Sequence, residues 1–258
     1  MTTPITPADV DQAKDLLSAW DRQQAAYITR REERFGIMLD ILDHVVPDGG
    51  TVLDLASGPG SISERVLTRR PDVTVIAADY DPVLLELGRT ALHEHRDRVS
   101  FVDVDLWDPT WISRLPDGTP HAVLSSTALH WLPADVLARV YADLGALVPV
   151  GGVVMNADHL RHLEGRPLFE ELSRLDDAAT QENDRAAGAQ TWDEWWADLV
   201  AVPRYGSLAE ERERRFASRP ANPDLSLQFH VEALRVAGFV EAGPVWQHLD
   251  DFVVLARR

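Results

Sequence analysis

Cysteine is absent from this 258-residue chain. That removes disulfides, thiolate nucleophiles, cysteine-bound zinc and iron–sulfur clusters from consideration. Lysine is nearly absent too: Lys14 is the only one, in a polar N-terminal stretch, and every other basic residue is an arginine. Lysine Schiff-base chemistry therefore has one candidate. Basic charge is scarce beside 42 acidic residues, and the formal net charge is −17. Such a surface repels polyanions, which argues against a nucleic-acid partner and against an anionic membrane. No uninterrupted apolar run approaches the roughly 18 residues that a membrane-spanning helix needs. The first residues, MTTPITPADVDQAKD, carry neither the basic nor the apolar region of a secretory signal. These absences predict a soluble, cytoplasmic protein.

What is present is the composition of a globular chain, with 45% hydrophobic residues. The length suits one large α/β domain with an insert, or two small domains. Leu17, Trp20, Ile28, Phe35, Leu39 and Leu42 recur at helical offsets and predict an N-terminal helical cap over residues 1–46. From residue 47 the rhythm changes. Apolar runs at 51–56, 73–78, 99–104, 121–127 and 151–157 alternate with helical stretches. Runs that are continuous rather than alternating predict a parallel sheet covered on both faces, so 47–157 form the core. Residues 158–226 lose the strand pattern, are charged and contain Trp192, Trp195 and Trp196. They predict an inserted helical lid over the carboxyl edge of the sheet. Residues 227–258 return to a helix and two strands, 238–247 and 251–256, close enough to form an antiparallel hairpin that completes the core.

The densest signal is Val52-Leu53-Asp54-Leu55-Ala56-Ser57-Gly58-Pro59-Gly60-Ser61, a strand running through a glycine turn into a helix. Glycine lets a ligand approach the backbone, and the first N–H groups of a helix bind polar atoms. Asp79 follows Gly60 by 19 residues, a spacing that dinucleotide-binding turns share. Ser63, however, stands where those turns have glycine or alanine, Asp54 lies within the strand, and a further acid, Asp105, ends the third strand. The string resembles the first motif of class I S-adenosylmethionine-dependent methyltransferases, with Ala56 in place of the first glycine. LSSTALHWL (124–132), with Tyr27 and Arg34 upstream, is similar to the trans-aconitate and malonyl-carrier-protein methyltransferase branch.

The resemblance implies an α/β, Rossmann-like fold: a seven-stranded, mostly parallel sheet with an antiparallel last strand, N-terminal helices and the helical lid. It implies S-adenosylmethionine as cofactor, with Ala56, Gly58 and Gly60 beside its methionine part and Asp79 on both ribose hydroxyls. Tyr80 and Leu106 would flank the adenine, Asp105 would take its amino group, and Ser125 and Ser126 would approach the methionyl group. Tyr27 and Arg34, seven residues apart, share a face if the helix is continuous. They either close over the cofactor, with Arg34 toward a carboxylate, or are solvated helix residues.

Methyl transfer needs positioning and desolvation, and a base only for a hydroxyl or an enol carbon. His130, in the pair His130-Trp131, either orients or deprotonates the acceptor or simply caps packed aromatic residues. Trp192, Trp195 and Trp196 form either a helix core stripe or a pocket wall. Arg161, Arg166, Arg174 and Arg185 of the insert are candidates to bind an anionic acceptor. By topology, Asp158, His159, His230 and His248 all fall at the carboxyl edge of the sheet, with Asp250 and Asp251 starting the last strand. His159 is thus a second catalytic candidate. The four are also candidate ligands for a divalent metal that would chelate an α-keto acid for C-methylation. Hydrogen bonding to the substrate, or plain solvation, are the alternatives. The reading is a methyltransferase for a small acidic metabolite, monomeric or homodimeric. A non-catalytic S-adenosylmethionine-binding protein and a nicotinamide-dependent oxidoreductase are its rivals; Ser63 and the terminal hairpin disfavour the second.

Overall fold

The computed structural model describes residues 4–160, 165–219 and 225–258. Its centre is a seven-stranded sheet. The strands are β1 (Thr51–Leu55), β2 (Thr74–Asp79), β3 (Val99–Asp103), β4 (Ala122–Ser126), β5 (Val153–His159), β6 (Glu241–His248) and β7 (Asp251–Arg257). Their order is β3-β2-β1-β4-β5-β7-β6. The first five run parallel, and β7 lies antiparallel between β5 and β6. The expected fold and terminal hairpin are therefore present. β1 pairs with β2 on one side and β4 on the other. The chain thus changes direction across the sheet at β1, and a crevice opens beyond the carboxyl ends of those strands.

Adjacent residues on the central strands serve opposite faces. Val52 and Leu124 pack with Phe35, Leu42, Val66 and Leu87, whereas Leu53 and Val123 pack with Leu137, Tyr141 and Leu234. The first face is covered by α1 (Pro7–Ala25), α2 (Arg31–Val45), α3 (Ser61–Arg69) and α4 (Pro82–Ala91). The second is covered by α5 (Ala134–Leu147) and, after the insert, α10 (Leu227–Val236). This double coverage is why the strands read as continuous apolar runs.

The N-terminal pattern, expected as helix over 8–46, resolves into two helices. The chain turns at residues 26–30, with Arg30 in the left-handed region at φ 54°. Periodicity concealed the break because Trp20, Ile28 and Phe35, at spacings of eight and seven residues, stay in helical phase across it. Tyr27 lies in the turn and Arg34 in α2, so the two do not share a helix face.

After β5 come α6 (Pro167–Ala186), α7 (Trp192–Ala201), the short α8 (Pro203–Gly206) and α9 (Ala209–Phe216). A capping box between Thr191 and Glu194 starts α7. That helix docks on α1: the Trp195 indole N–H donates to the Leu16 carbonyl at 3.0 Å, and its ring sits 4.6 Å from that of Trp20. The three tryptophans divide their roles. Trp195 is fully buried, Trp192 faces the crevice, and Trp196 packs beneath Arg212.

Candidate active site

A cavity of about 780 Å³ fills the crevice. Its floor is the turn after β1. Ala56, Gly58 and Gly60 all have positive φ, at 55°, 55° and 89°. A Cβ on Gly60 would stand 3.1 Å from the Phe101 ring, so this position needs glycine on two counts. Ala56 holds the same backbone region at a cost of roughly 1 kcal/mol. Asp54 is tied to the start of α3: its Oδ2 accepts the Ser63 N–H at 3.1 Å and the Ser63 hydroxyl at 2.7 Å. This explains both the acid within the strand and the serine. Burial pushes the Asp54 carboxyl up to about 7, against those two hydrogen bonds.

Asp79 ends β2 and stands at the cavity wall. Its carboxylate accepts the N–H of Gly58 and of Asp81, each at 2.7 Å. Burial nonetheless pushes it up to about 6. Tyr80, Leu106, Trp107 and Asp105 continue the wall. Asp105 accepts the Trp107 N–H at 2.9 Å.

At this end α9 and the residues after it deliver three arginines that the sequence does not single out. Arg219 bonds Asp105 at 2.7 Å, with its guanidinium 4.7 Å from the Tyr80 ring and 4.9 Å from that of Trp107. Arg215 bonds both oxygens of Asp103 and the Tyr80 carbonyl. Arg212 bonds Asp81 at 2.5 Å and stacks on Trp196. In sequence, EERERRF looks like an ordinary solvated helix face, and only the fold brings it to the carboxylates.

Trp20, Phe35, Trp131 and Trp192 are the large aromatic residues that also line the cavity, together with His130 and His159; the Trp131 ring lies 5.1 Å from that of His130. His130 lies in a short helical turn after β4. Its Nδ1 is 2.6 Å from Oδ1 of Asp158, and its N–H donates to Oδ2 of the same carboxylate at 3.1 Å. Asp158 is fully buried. Burial disfavours its charge, but His130, His159 and His230 together hold the carboxyl below its ordinary value. His159 approaches Asp251, with Nδ1 2.5 Å from Oδ1, but without the geometry of a hydrogen bond, and that buried oxygen has no hydrogen-bond partner. Asp251 also pairs with Arg34. The His130 and His159 ring centres are 6.4 Å apart. A carboxylate only accepts, so the His130 imidazole presents a proton on Nδ1 to Asp158 and leaves Nε2 unprotonated when neutral.

Several expectations are corrected here. Arg34 does not line the cavity; it is fully buried behind it with Asp251, and Arg31, paired with Asp21 at 2.9 Å, lines the wall instead. Ser125 is buried outside the wall, which Ser126 and Thr127 supply. His159, His230 and His248 do not converge. His230 is buried on α10, 2.7 Å from the Tyr141 hydroxyl, and burial lowers it to about 4. His248 is 3.1 Å from Asp176 of α6. Among the described residues no three His, Asp or Glu side chains form a metal-binding group; Asp158 bonds His130, and His230 and His248 have partners elsewhere. Arg161 lies outside the described residues.

Comparison with known proteins agrees with this architecture. Residues 52–152 match the model of a methyltransferase domain family. The chain is 30% identical over 137 residues to trans-aconitate 2-methyltransferase of Variovorax paradoxus, covering 52% of this chain and 48% of that one. It is 28% identical over 188 residues to the protein of the same name from Methylobacterium nodulans, covering 69% and 67%. It spans about half the length of the first of these curated relatives. Among solved structures, an O-methyltransferase family 2 protein from Planctomyces limnophilus superposes with a TM-score of 0.55 at 20% identity, over 96% of this chain and 62% of that one.

Proposed function

We propose that this chain, which carries a methyltransferase domain of the class I S-adenosylmethionine-dependent type, methylates a hydroxyl oxygen of a small molecule and uses His130 as the base. The observation that carries the reading is the His130–Asp158 pair, at the wall of the same cavity whose floor is the glycine turn. A cofactor's ribose and base each find a suitable group, and its methionine part finds room beside the turn. Gly58 opens on the cavity, where an added Cβ would meet only Trp20 and Leu84 side-chain atoms at ordinary contact distance. Asp79 is the ribose partner and Asp105 the partner of the adenine amino group, with Tyr80, Leu106 and Trp107 beside the ring. The bound cofactor supplies a methyl group made electrophilic by its sulfonium sulfur.

The chain's own residues do the rest. Nε2 of His130 takes the hydroxyl proton as the acceptor oxygen forms its new bond to carbon, and the electron pair of the breaking S–C bond stays on sulfur. Asp158 fixes the tautomer and stabilises the imidazolium. The aromatic wall excludes water from the acceptor and positions it.

A carboxylate acceptor would need no base, so a buried His–Asp pair is better explained by a hydroxyl. The acidic metabolite of the sequence reading draws its support from the names of the trans-aconitate relatives. The described arginines at the wall are already paired: Arg31 with Asp21, Arg212 with Asp81 and Arg219 with Asp105. The His–Asp pair also speaks against a non-catalytic binding protein. The test is calorimetric titration with S-adenosylmethionine, followed by a methyl-transfer screen over matched alcohols, phenols and carboxylic acids. Transfer to hydroxyl acceptors that His130→Ala abolishes supports the reading. Transfer to carboxylates alone, unaffected by His130→Ala, overturns it.

A further inference from the structure

We propose that α9, with Arg219 just beyond it, is a strap that shuts the adenosine end of the proposed cofactor site, and that S-adenosylmethionine enters and leaves only when this strap lifts. The inference rests on that cofactor reading and adds a moving part to it.

α9 buries none of its own residues, so no apolar core of its own holds it down. Its attachment is ionic and aromatic instead. Three arginines each reach a carboxylate at or just past the ends of β2 and β3. Arg212 bonds Asp81 at 2.5 Å, Arg215 bonds both oxygens of Asp103 at 2.8 Å, and Arg219 bonds Asp105 at 2.7 Å. Arg215 also donates to the Tyr80 carbonyl at 2.8 Å, and the Phe216 ring meets the edge of Tyr80 at 5.5 Å. The chain leading into α9 is fixed: Tyr205 is buried and Arg204 pairs with Glu86 at 3.0 Å. The strap therefore pivots at Ser207 and Leu208, between a fixed base and a weakly held helix.

The strap lies over the site. Arg212, Phe216 and Arg219, four and three residues apart, all line the cavity. The Arg219 guanidinium stands 4.7 Å from the Tyr80 ring and 4.9 Å from that of Trp107, where the proposed adenine would lie. With Arg219 alone displaced, Phe216 still rests on Tyr80, and Arg212 and Arg215 still hold α9 against the strand ends. Entry thus requires the helix to lift. Partly exposed ion pairs are individually weak and screened by salt, and a helix without buried residues opens at low local cost. Asp81 and Asp103 take no part in the proposed cofactor contacts. Arg212 and Arg215 re-form their pairs over the bound ligand, and opening limits both association and dissociation.

The chain has no cysteine, so introduced thiols have no rivals. The experiment joins Arg215→Cys and Asp103→Cys in the full chain with a short, cleavable bis-maleimide. S-adenosylhomocysteine is the probe, with its rates read by surface plasmon resonance. The bridged, empty chain should take it up about tenfold more slowly than the same unbridged variant, and cleaving the linker should restore the rate. Bridging the loaded chain should slow release by a similar factor. In the wild type, raising salt from about 0.05 M to about 0.5 M should speed association and dissociation together by about threefold or more. S-adenosylhomocysteine has no net charge near neutrality, so long-range steering does not mimic this effect. Arg215→Gln should reproduce it at low salt. Bridged and unbridged chains that exchange equally fast would mean that the Arg219 side chain swings aside alone, and would overturn the inference. Wild-type rates that ignore both salt and Arg215→Gln would overturn it too. Failure of the cofactor reading looks different: S-adenosylhomocysteine would not bind the unmodified chain at any salt concentration.

Discussion

His130 and Asp158 meet across the ends of two neighbouring strands: Nδ1 lies 2.6 Å from Oδ1, and the carboxylate is fully buried. The parallel pairing of β4 with β5 sets Ser126 beside Ala157, so the residues following each strand arrive together at the carboxyl edge. The pair is thus a product of register. A general base so placed contributes a factor of roughly 10² to 10⁴. His130→Ala should lower kcat/KM by that amount and leave S-adenosylmethionine affinity unchanged by calorimetry. Asp158→Asn should fall in the same range, because an amide can donate to Nδ1 and stabilise the wrong tautomer. Wild-type turnover in Asp158→Asn would remove the carboxylate from the mechanism.

Asp79 supplies a pH prediction for the cofactor end. Its carboxyl is pushed up to about 6 by burial, and the ionised form is the better acceptor for two ribose hydroxyls. With Asp79 in its proposed role as ribose partner, protonation competes with cofactor binding. Affinity for S-adenosylmethionine should rise as pH climbs from about 5 to 7 and then level off. Asp79→Asn should bind more weakly, by about 1–3 kcal/mol, and lose this pH dependence. An unchanged rise in the variant would assign the titration to another group.

Arg219 occupies the slot between Tyr80 and Trp107 and bonds Asp105. In the proposed cofactor site those are the surfaces beside the adenine ring. Binding must displace this guanidinium, which gives up one ion pair and two cation–π contacts, together about 1–2 kcal/mol at a partly exposed site. Arg219→Ala should tighten S-adenosylmethionine binding by roughly five- to thirtyfold. Weaker binding in the variant would mean that the arginine covers the bound base instead of competing with it.

The sheet was legible because buried parallel strands write themselves as apolar runs, and the glycine turn because Gly58 and Gly60 stand at positive φ, where glycine is favoured; Asp79 and Asp105 were singled out by the family resemblance. The acceptor end was only half legible. Topology correctly brought His159 and Asp158 to the carboxyl edge, but nothing in a sequence says which imidazole a carboxylate will hold. Asp158 took His130, His159 took Asp251, and His230 turned into the core toward Tyr141. Arg34 misled for a similar reason. Its pairing with Asp251, more than two hundred residues away, draws it behind the wall. The break at residues 26–30 was invisible because its apolar residues keep helical phase.

The last prediction concerns the scaffold beneath the turn. Asp54 is 2% exposed and accepts two hydrogen bonds from Ser63, which anchor the glycine turn to α3. Burial still wins and raises its carboxyl to about 7, whereas in the unfolded chain it titrates near 4. For an acid raised on folding, the neutral form favours the folded state. That contribution is fully present below about pH 4 and is lost as pH rises through about 7. Three pH units correspond to at most about 4 kcal/mol, reached only above pH 7. Asp54→Asn keeps an oxygen for Ser63 and removes the charge. The variant should gain stability relative to wild type between pH 5 and pH 8, read as a melting-temperature difference that grows across that interval. A difference independent of pH would mean that Asp54 is ionised throughout, with its charge carried by the Ser63 donors, and the same hydrogen bonds would then have to be credited with outweighing its burial.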